Sequence, residues 1–173
     1  RILIVSSDGG TREALAGHLS KQDEFEICQF GGLAEACALV EAEHADLVIV
    51  DCRLAEGTRA VSLLRDSPFR APIVALVQEE TEGLQALDTG ASDYIVLPLR
   101  FAVLLARIRA QIRQYEASEN AVFTLGLFSF RPASKVLVTP SGEKVKLTEK
   151  ETSILRYLYH RSQKPVTREV LLE

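Results

Sequence analysis

Five short strand-like runs, four of them unbroken by any polar residue, limit what the first 115 positions can fold into. They are Ile2-Leu3-Ile4-Val5, Phe25 to Phe30, Leu47-Val48-Ile49-Val50, Ile73 to Val77 and Tyr94-Ile95-Val96-Leu97. A strand with one wet face alternates apolar with polar residues, whereas an unbroken apolar strand needs cover on both faces. That is the condition of a parallel sheet between helical layers. The intervening stretches supply the layers: Leu15 and Leu19; Ala36, Leu39 and Val40; Val61, Leu63 and Leu64; and Leu104, Leu105, Ile108 and Ile112 recur at helical spacing. The pattern predicts a doubly wound α/β domain over residues 1–115. Right-handed crossovers then place ligand chemistry at the C-terminal ends of the first and third strands. Gly9-Gly10 is read as a turn after the first strand.

The period changes further on. Residues 116–122 read as a linker, and Phe123 to Phe130 alternates like a single strand. Val136 to Val138 and Val145 to Leu147 are two more, with Ser141-Gly142 as their turn. Thr148-Glu149-Lys150-Glu151 has the form of a capping box opening a helix with Ile154, Leu155 and Leu158 at core spacing. Charge divides at the same place. Residues 1–115 carry 11 Lys/Arg against 17 Asp/Glu, and residues 116–173 carry 9 against 7. The two parts are therefore expected to meet different partners.

The residues at the strand ends resemble the receiver domain of OmpR/PhoB-family response regulators, over essentially all of 1–115. The resemblance rests on Ile2-Leu3-Ile4-Val5, on Ala45-Asp46-Leu47-Val48-Ile49-Val50-Asp51, and above all on Gly90-Ala91-Ser92-Asp93-Tyr94-Ile95-Val96-Leu97-Pro98. It implies a flavodoxin-like (βα)5 fold with Asp51 as phosphoacceptor. A working receiver also uses an acidic pair that helps hold Mg²⁺, a Thr or Ser for the phosphoryl oxygen, and a Lys that neutralises it. Here Ser6 and Ser7 stand at the acidic pair, Val77 at the hydroxyl and Leu97 at the lysine. Asp8 lies one place beyond the pair and would need a register shift to join it. The resemblance thus implies a degenerate pocket in which Mg²⁺ binding is not expected, no cofactor is needed, and Asp51 is hydrogen-bonded by Ser6 or Ser7.

The same resemblance makes Tyr94 the switch aromatic. It also implies a two-fold dimer face on the last strand and helices, with Asp93 and Arg107 at one charge-pair position and Arg109 and Arg113 nearby. Ser92 and Val103 replace acidic residues of that face, so a dimer is expected to lean on Leu99, Phe101 and Val103. Leu147 to Leu155 and Thr167-Arg168-Glu169-Val170-Leu171-Leu172 resemble the start of the family's winged helix. Residues 123–173 are accordingly read as the N-terminal part of that domain, with Thr167 and Arg168 facing the DNA backbone and the recognition helix absent. Arg1 at the start and the lack of any Met lead to the expectation that the native N terminus lies upstream.

The expected function is a transcriptional regulator of two-component type that binds DNA through a complete winged helix. It is expected to act without aspartyl phosphorylation, through a homodimer of receivers, with a sensor kinase or another protein as a further partner. Two alternatives stand beside it: a conventional switch using Asp51, and a small-molecule-binding or enzymatic α/β domain. For the last, Gly9-Gly10 has neither P-loop Lys nor dinucleotide fingerprint, and His18, His44 and His160 have no metal or triad spacing. Cys28, Cys37 and Cys52 read as buried thiols in a reducing cytoplasm, with a redox role for Cys52, beside an acidic residue, as the alternative, and no apolar run is long enough for a membrane helix.

Overall fold

The computed structural model describes residues 1–42 and 45–160. The chain divides into two compact units, Arg1–Tyr115 and Glu116–Glu173. In the first, β1 (Ile2–Val5), α1 (Gly9–Leu19), β2 (Ile27–Phe30), α2 (Leu33–Ala42), β3 (Leu47–Asp51), α3 (Arg59–Asp66), β4 (Ile73–Val77), α4 (Glu80–Asp88), β5 (Asp93–Val96) and α5 (Phe101–Glu116) alternate without interruption. The strands form one parallel sheet in the order β2-β1-β3-β4-β5. This is the flavodoxin-like arrangement.

The side-chain period of two sorts each apolar strand between two cores. Leu3, Val5, Val48, Val50, Ala75 and Val77 face α2, α3 and α4 through Ala36, Val61, Leu64 and Ala86. Ile2, Ile4, Leu47, Ile49, Val74 and Leu76 face α1 and α5 through Leu15, Leu19, Leu104 and Ile108. Strands β1, β3 and β4 are buried along their whole length, which is why they carry no polar residue before the C-terminal Asp51. The order reverses between β1 and β3, so the residues that follow those strands meet at the switch point.

Two local readings change. Gly9 and Gly10 begin α1 instead of forming a turn, because Asp8 caps the helix and accepts the Gly10 N–H at 3.1 Å. In the second unit the Phe123 to Phe130 segment is a hairpin, not one strand. β6 (Phe123–Leu125) turns at Gly126, whose φ is +62°, into β7 (Phe128–Arg131). β8 (Val136–Val138) and β9 (Lys144–Lys146) complete a four-stranded antiparallel sheet. The capping box then opens α6 (Glu149–His160): the Thr148 N–H donates to Glu151 Oε2 at 2.8 Å, and the Glu151 N–H donates to Thr148 Oγ1 at 3.3 Å. These bonds to Thr148, backbone first, hold the Glu151 carboxyl below its usual range. Phe123 stacks on Tyr159 at 4.4 Å and meets Phe130 edge-on at 5.8 Å. Thr167, Arg168 and His44 lie outside the described residues.

Candidate functional site

Asp51 ends β3 with its side chain only 1 % exposed. A carboxylate so buried must be either protonated or well paired. It is paired three ways. Ser6, itself buried at the end of β1, donates its hydroxyl to Oδ2 at 2.6 Å. The backbone N–H of Arg53 donates to Oδ1 at 3.0 Å. The Arg53 guanidinium then closes over the carboxylate, with Nε 2.9 Å from Oδ1 and 3.1 Å from Oδ2, and Nη2 2.6 Å from Oδ2. Burial alone would raise the Asp51 pKa, but the bonds from Arg53 and Ser6 outweigh it and hold the carboxyl below its ordinary value.

Arg53 is anchored on its outer side as well. Its Nη2 donates to Thr11 Oγ1 at 2.8 Å and lies 3.7 Å from Asp8 Oδ2, while Thr11 Oγ1 donates to Asp8 Oδ2 at 2.6 Å. One cation thus bridges the carboxylates after β1 and β3. Asp8 is committed to capping α1, and its bonds from Thr11 and Gly10 keep its carboxyl low. Ser6 Oγ also accepts the Asp8 N–H at 3.2 Å. Of the two serines expected beside Asp51, only Ser6 touches it; Ser7 is exposed.

Val77 is fully buried in the core, and its carbonyl accepts the Leu97 N–H at 2.8 Å. Leu97 is half-buried and, like Arg53, lines a cleft beside α1. Cys52, next to Asp51, has its thiol pushed up to about 12 by burial first and the Asp51 charge second. That is the opposite of the low-pKa thiolate a redox role uses, and Cys28 and Cys37, expected to be buried, are half-buried.

Tyr94 is half-buried, with its ring against the backbone of Gly83 in α4 and its hydroxyl 3.5 Å from Glu80 Oε1. A Cβ on Gly83 would lie 2.2 Å from the ring, so this glycine is what lets the ring settle there. The residues expected on the dimer face separate into two groups. Asp93 and Arg107 form an ion pair within the chain at 2.6 Å, and Val103 is exposed on the same helix, as is Arg113. Leu99 and Phe101 instead turn inward, packing with the core beneath α1 and α5. Phe101 stacks on His18 of α1 at 3.7 Å. Arg109 also turns away, pairing with Glu24 at 2.6 Å. The cause is the 3.6-residue period of α5: Phe101 shares a stripe with Leu105, Ile108 and Ile112, whereas 103 and 107 fall on another.

Arg53 is the residue the sequence reading missed. A signal existed: a buried aspartate deprived of its lysine at position 97 needs another cation, and Arg53 is the nearest in sequence.

A parallel (βα)5 sheet with an acidic side chain ending its third strand defines a receiver-type domain. The chain belongs to the response regulator receiver domain family, which matches residues 2–109. It is similar to the response regulator MprA of Mycolicibacterium vanbaalenii, 32 % identical over 182 residues spanning 100 % of this chain and 78 % of that protein. It is likewise 32 % identical over 178 residues to the DNA-binding response regulator MtrA of Mycolicibacterium smegmatis, covering 100 % of this chain and 76 % of the relative. Among solved structures, the beryllofluoride-activated receiver domain of Klebsiella pneumoniae RstA superposes with a TM-score of 0.60 at 32 % identity, over 65 % of this chain and 98 % of that one. Regulators of this family are transcriptional regulators and not enzymes. Among the described residues no helix is long and apolar enough to cross a membrane.

Proposed function

We propose that this chain is a DNA-binding transcriptional regulator of the OmpR/PhoB type, acting in the cytoplasm without phosphorylation of Asp51. The observation that carries the proposal is the Arg53 guanidinium seated on the Asp51 carboxylate, where a phosphoryl donor and its metal would have to approach. The donor set does not fit Mg²⁺, a hard cation that takes several oxygen ligands. Ser6 spends its hydroxyl on Asp51, Asp8 caps α1, and Arg53 occupies the space between the two carboxylates that a metal would need. The receiver then rests in one state or is biased by a protein partner, a sensor kinase or another regulator.

The proposed homodimer uses the face carrying Asp93, Val103, Arg107 and Arg113. The exposed Leu84, Leu87 and Val96 support that face as an apolar surface for an isologous contact. The antiparallel sheet and capped α6 support a winged-helix domain over 123–173 as the DNA-binding part; the DNA-backbone role of Thr167 and Arg168 rests on the sequence resemblance alone.

Asp51→Asn in the full-length regulator is expected to leave promoter output unchanged at equal protein level. A drop to the level of the deleted gene favours the conventional switch, a reading supported by the retention of an ionised aspartate at the end of β3.

A further inference from the structure

The substitutions that strip the pocket of phosphate chemistry also build a different surface beside it. A cleft of about 580 Å³ opens between α1 and the segment joining β5 to α5. Its size lies within the range of small-molecule sites. Ala14 and Leu15 form one wall; Leu97, Leu99 and Phe101 form the other. Leu97 stands where the resemblance places a lysine, so that wall is apolar where a working receiver is cationic. The Phe101 ring is fixed from behind by His18, stacked within 11° of parallel.

Three polar residues interrupt the apolar lining, Thr11, Arg53 and Gln78, and the Thr11 hydroxyl is already engaged by Asp8 and Arg53. Arg53 spends Nε and Nη2 on Asp51 and Thr11, but its Nη1 makes no hydrogen bond among the described residues. The side-chain amide of Gln78 is likewise unbonded, although its backbone N–H donates to Glu82. Arg53 is 32 % exposed, so its free edge can meet a ligand without any rearrangement of the Asp51 pair.

We infer that this cleft binds a small amphipathic acid. Its apolar body lies against Leu15, Leu97 and Leu99, and its carboxylate accepts hydrogen bonds from Arg53 Nη1 and the Gln78 amide. Such a head adds a charge-assisted bond to an arginine whose other edge is already engaged. A cationic head of the same length meets the Arg53 guanidinium there and gains no charge-assisted bond. The inference rests on the position of Arg53 and not on the absence of phosphorylation, so the two readings fail separately: labelling at Asp51 leaves the cleft intact, and an empty cleft leaves Asp51 paired.

The test is a titration of the whole chain, labelled with ¹⁵N, using decanoate and decyltrimethylammonium below their micelle concentrations. Decanoate is expected to give saturable amide shifts centred on Thr11, Leu15, Gln78, Leu97 and Leu99, and the ammonium probe none that saturate. Arg53→Gln is expected to weaken decanoate by about tenfold through loss of the charged donor. Ala14→Trp, at an exposed position of α1, fills the cleft and abolishes saturation; Ala14→Arg serves if the spectrum shows α1 disturbed. Decanoate shifts that never saturate, equal binding of the cation, or unchanged binding in both Ala14 variants would each overturn the inference.

Discussion

Removing the Arg53 side chain tests the paired pocket directly. Arg53→Ala deletes the guanidinium contacts at 2.6, 2.9 and 3.1 Å but leaves the backbone N–H and the Ser6 hydroxyl on the carboxylate. Breaking a fully buried pair by losing one partner costs about 3–5 kcal/mol. Here Asp51 is 1 % exposed but the arginine side chain is 32 % exposed, so water screens one partner. Two bonds also remain to the anion. The expected loss is therefore about 2 kcal/mol, nearer a single charged hydrogen bond than a buried pair. Asp51→Asn in the same background isolates the interaction: the double variant should recover most of the loss, giving a coupling of about 1.5 kcal/mol. Urea unfolding of the whole chain, followed at the amide signals of Ile4 and Val50, confines the readout to the first unit. A coupling below about 0.5 kcal/mol would show that the pair does not hold the pocket, and the reasoning would fail.

Three further outcomes follow from neighbouring geometry. Gly83→Ala should displace the Tyr94 ring, since the new Cβ would lie 2.2 Å from it, and cost about 1–3 kcal/mol. In a Tyr94→Ala background the same change should stabilise α4 by about 1 kcal/mol through helix propensity; a loss in both backgrounds would remove the ring contact as the cause. Cys52 should stay unmodified by a thiol reagent at neutral pH in the folded chain, because burial and Asp51 keep it protonated, whereas rapid labelling would contradict the pocket as described. Asp51 has a folded-state pKa below its unfolded value, so its pairing stabilises the fold fully above about pH 4 and progressively less as pH falls through the folded value. The stability gap between the parent chain and Asp51→Asn should thus be flat from neutral pH to about pH 5 and shrink in stronger acid; a gap that widens there has the wrong sign.

Much of the fold was legible because its signals are local. Ile2–Val5, Leu47–Val50 and Ile73–Val77 announce burial on both faces through composition alone, and Thr148 with Glu151 announces a helix start three residues apart. The hairpin at Gly126 was missed although a signal existed: Phe123, Leu125 and Leu127 alternate, and the phase slips at Leu127-Phe128, next to the glycine of the turn. The helical start at Gly9 was not legible, since the cap on Asp8 outweighs the turn preference of two glycines.

The site divides in the same way. Asp51, Ser6, Val77 and Leu97 lie at strand ends, where position in sequence nearly fixes position in space. Arg53 lies in a loop, and where its long side chain goes depends on which anion lacks a partner, a fact of tertiary structure. The inward turn of Leu99 and Phe101, and the turn of Arg109 toward Glu24, likewise depend on the phase with which α5 meets α1, which no single residue encodes.

The engagement of Asp51 by Arg53 and Ser6 is proposed to stand in place of phosphoryl chemistry. Incubating the whole chain with acetyl phosphate and Mg²⁺, then reading Asp51 by mass spectrometry after borohydride trapping, tests it most directly. No homoserine at position 51 is predicted, both for the parent chain and for Arg53→Ala, which removes the guanidinium from Asp51 but restores neither the acidic pair at Ser6 and Ser7 nor the lysine at Leu97. Stoichiometric, Mg²⁺-dependent modification of Asp51 in the parent chain would contradict it.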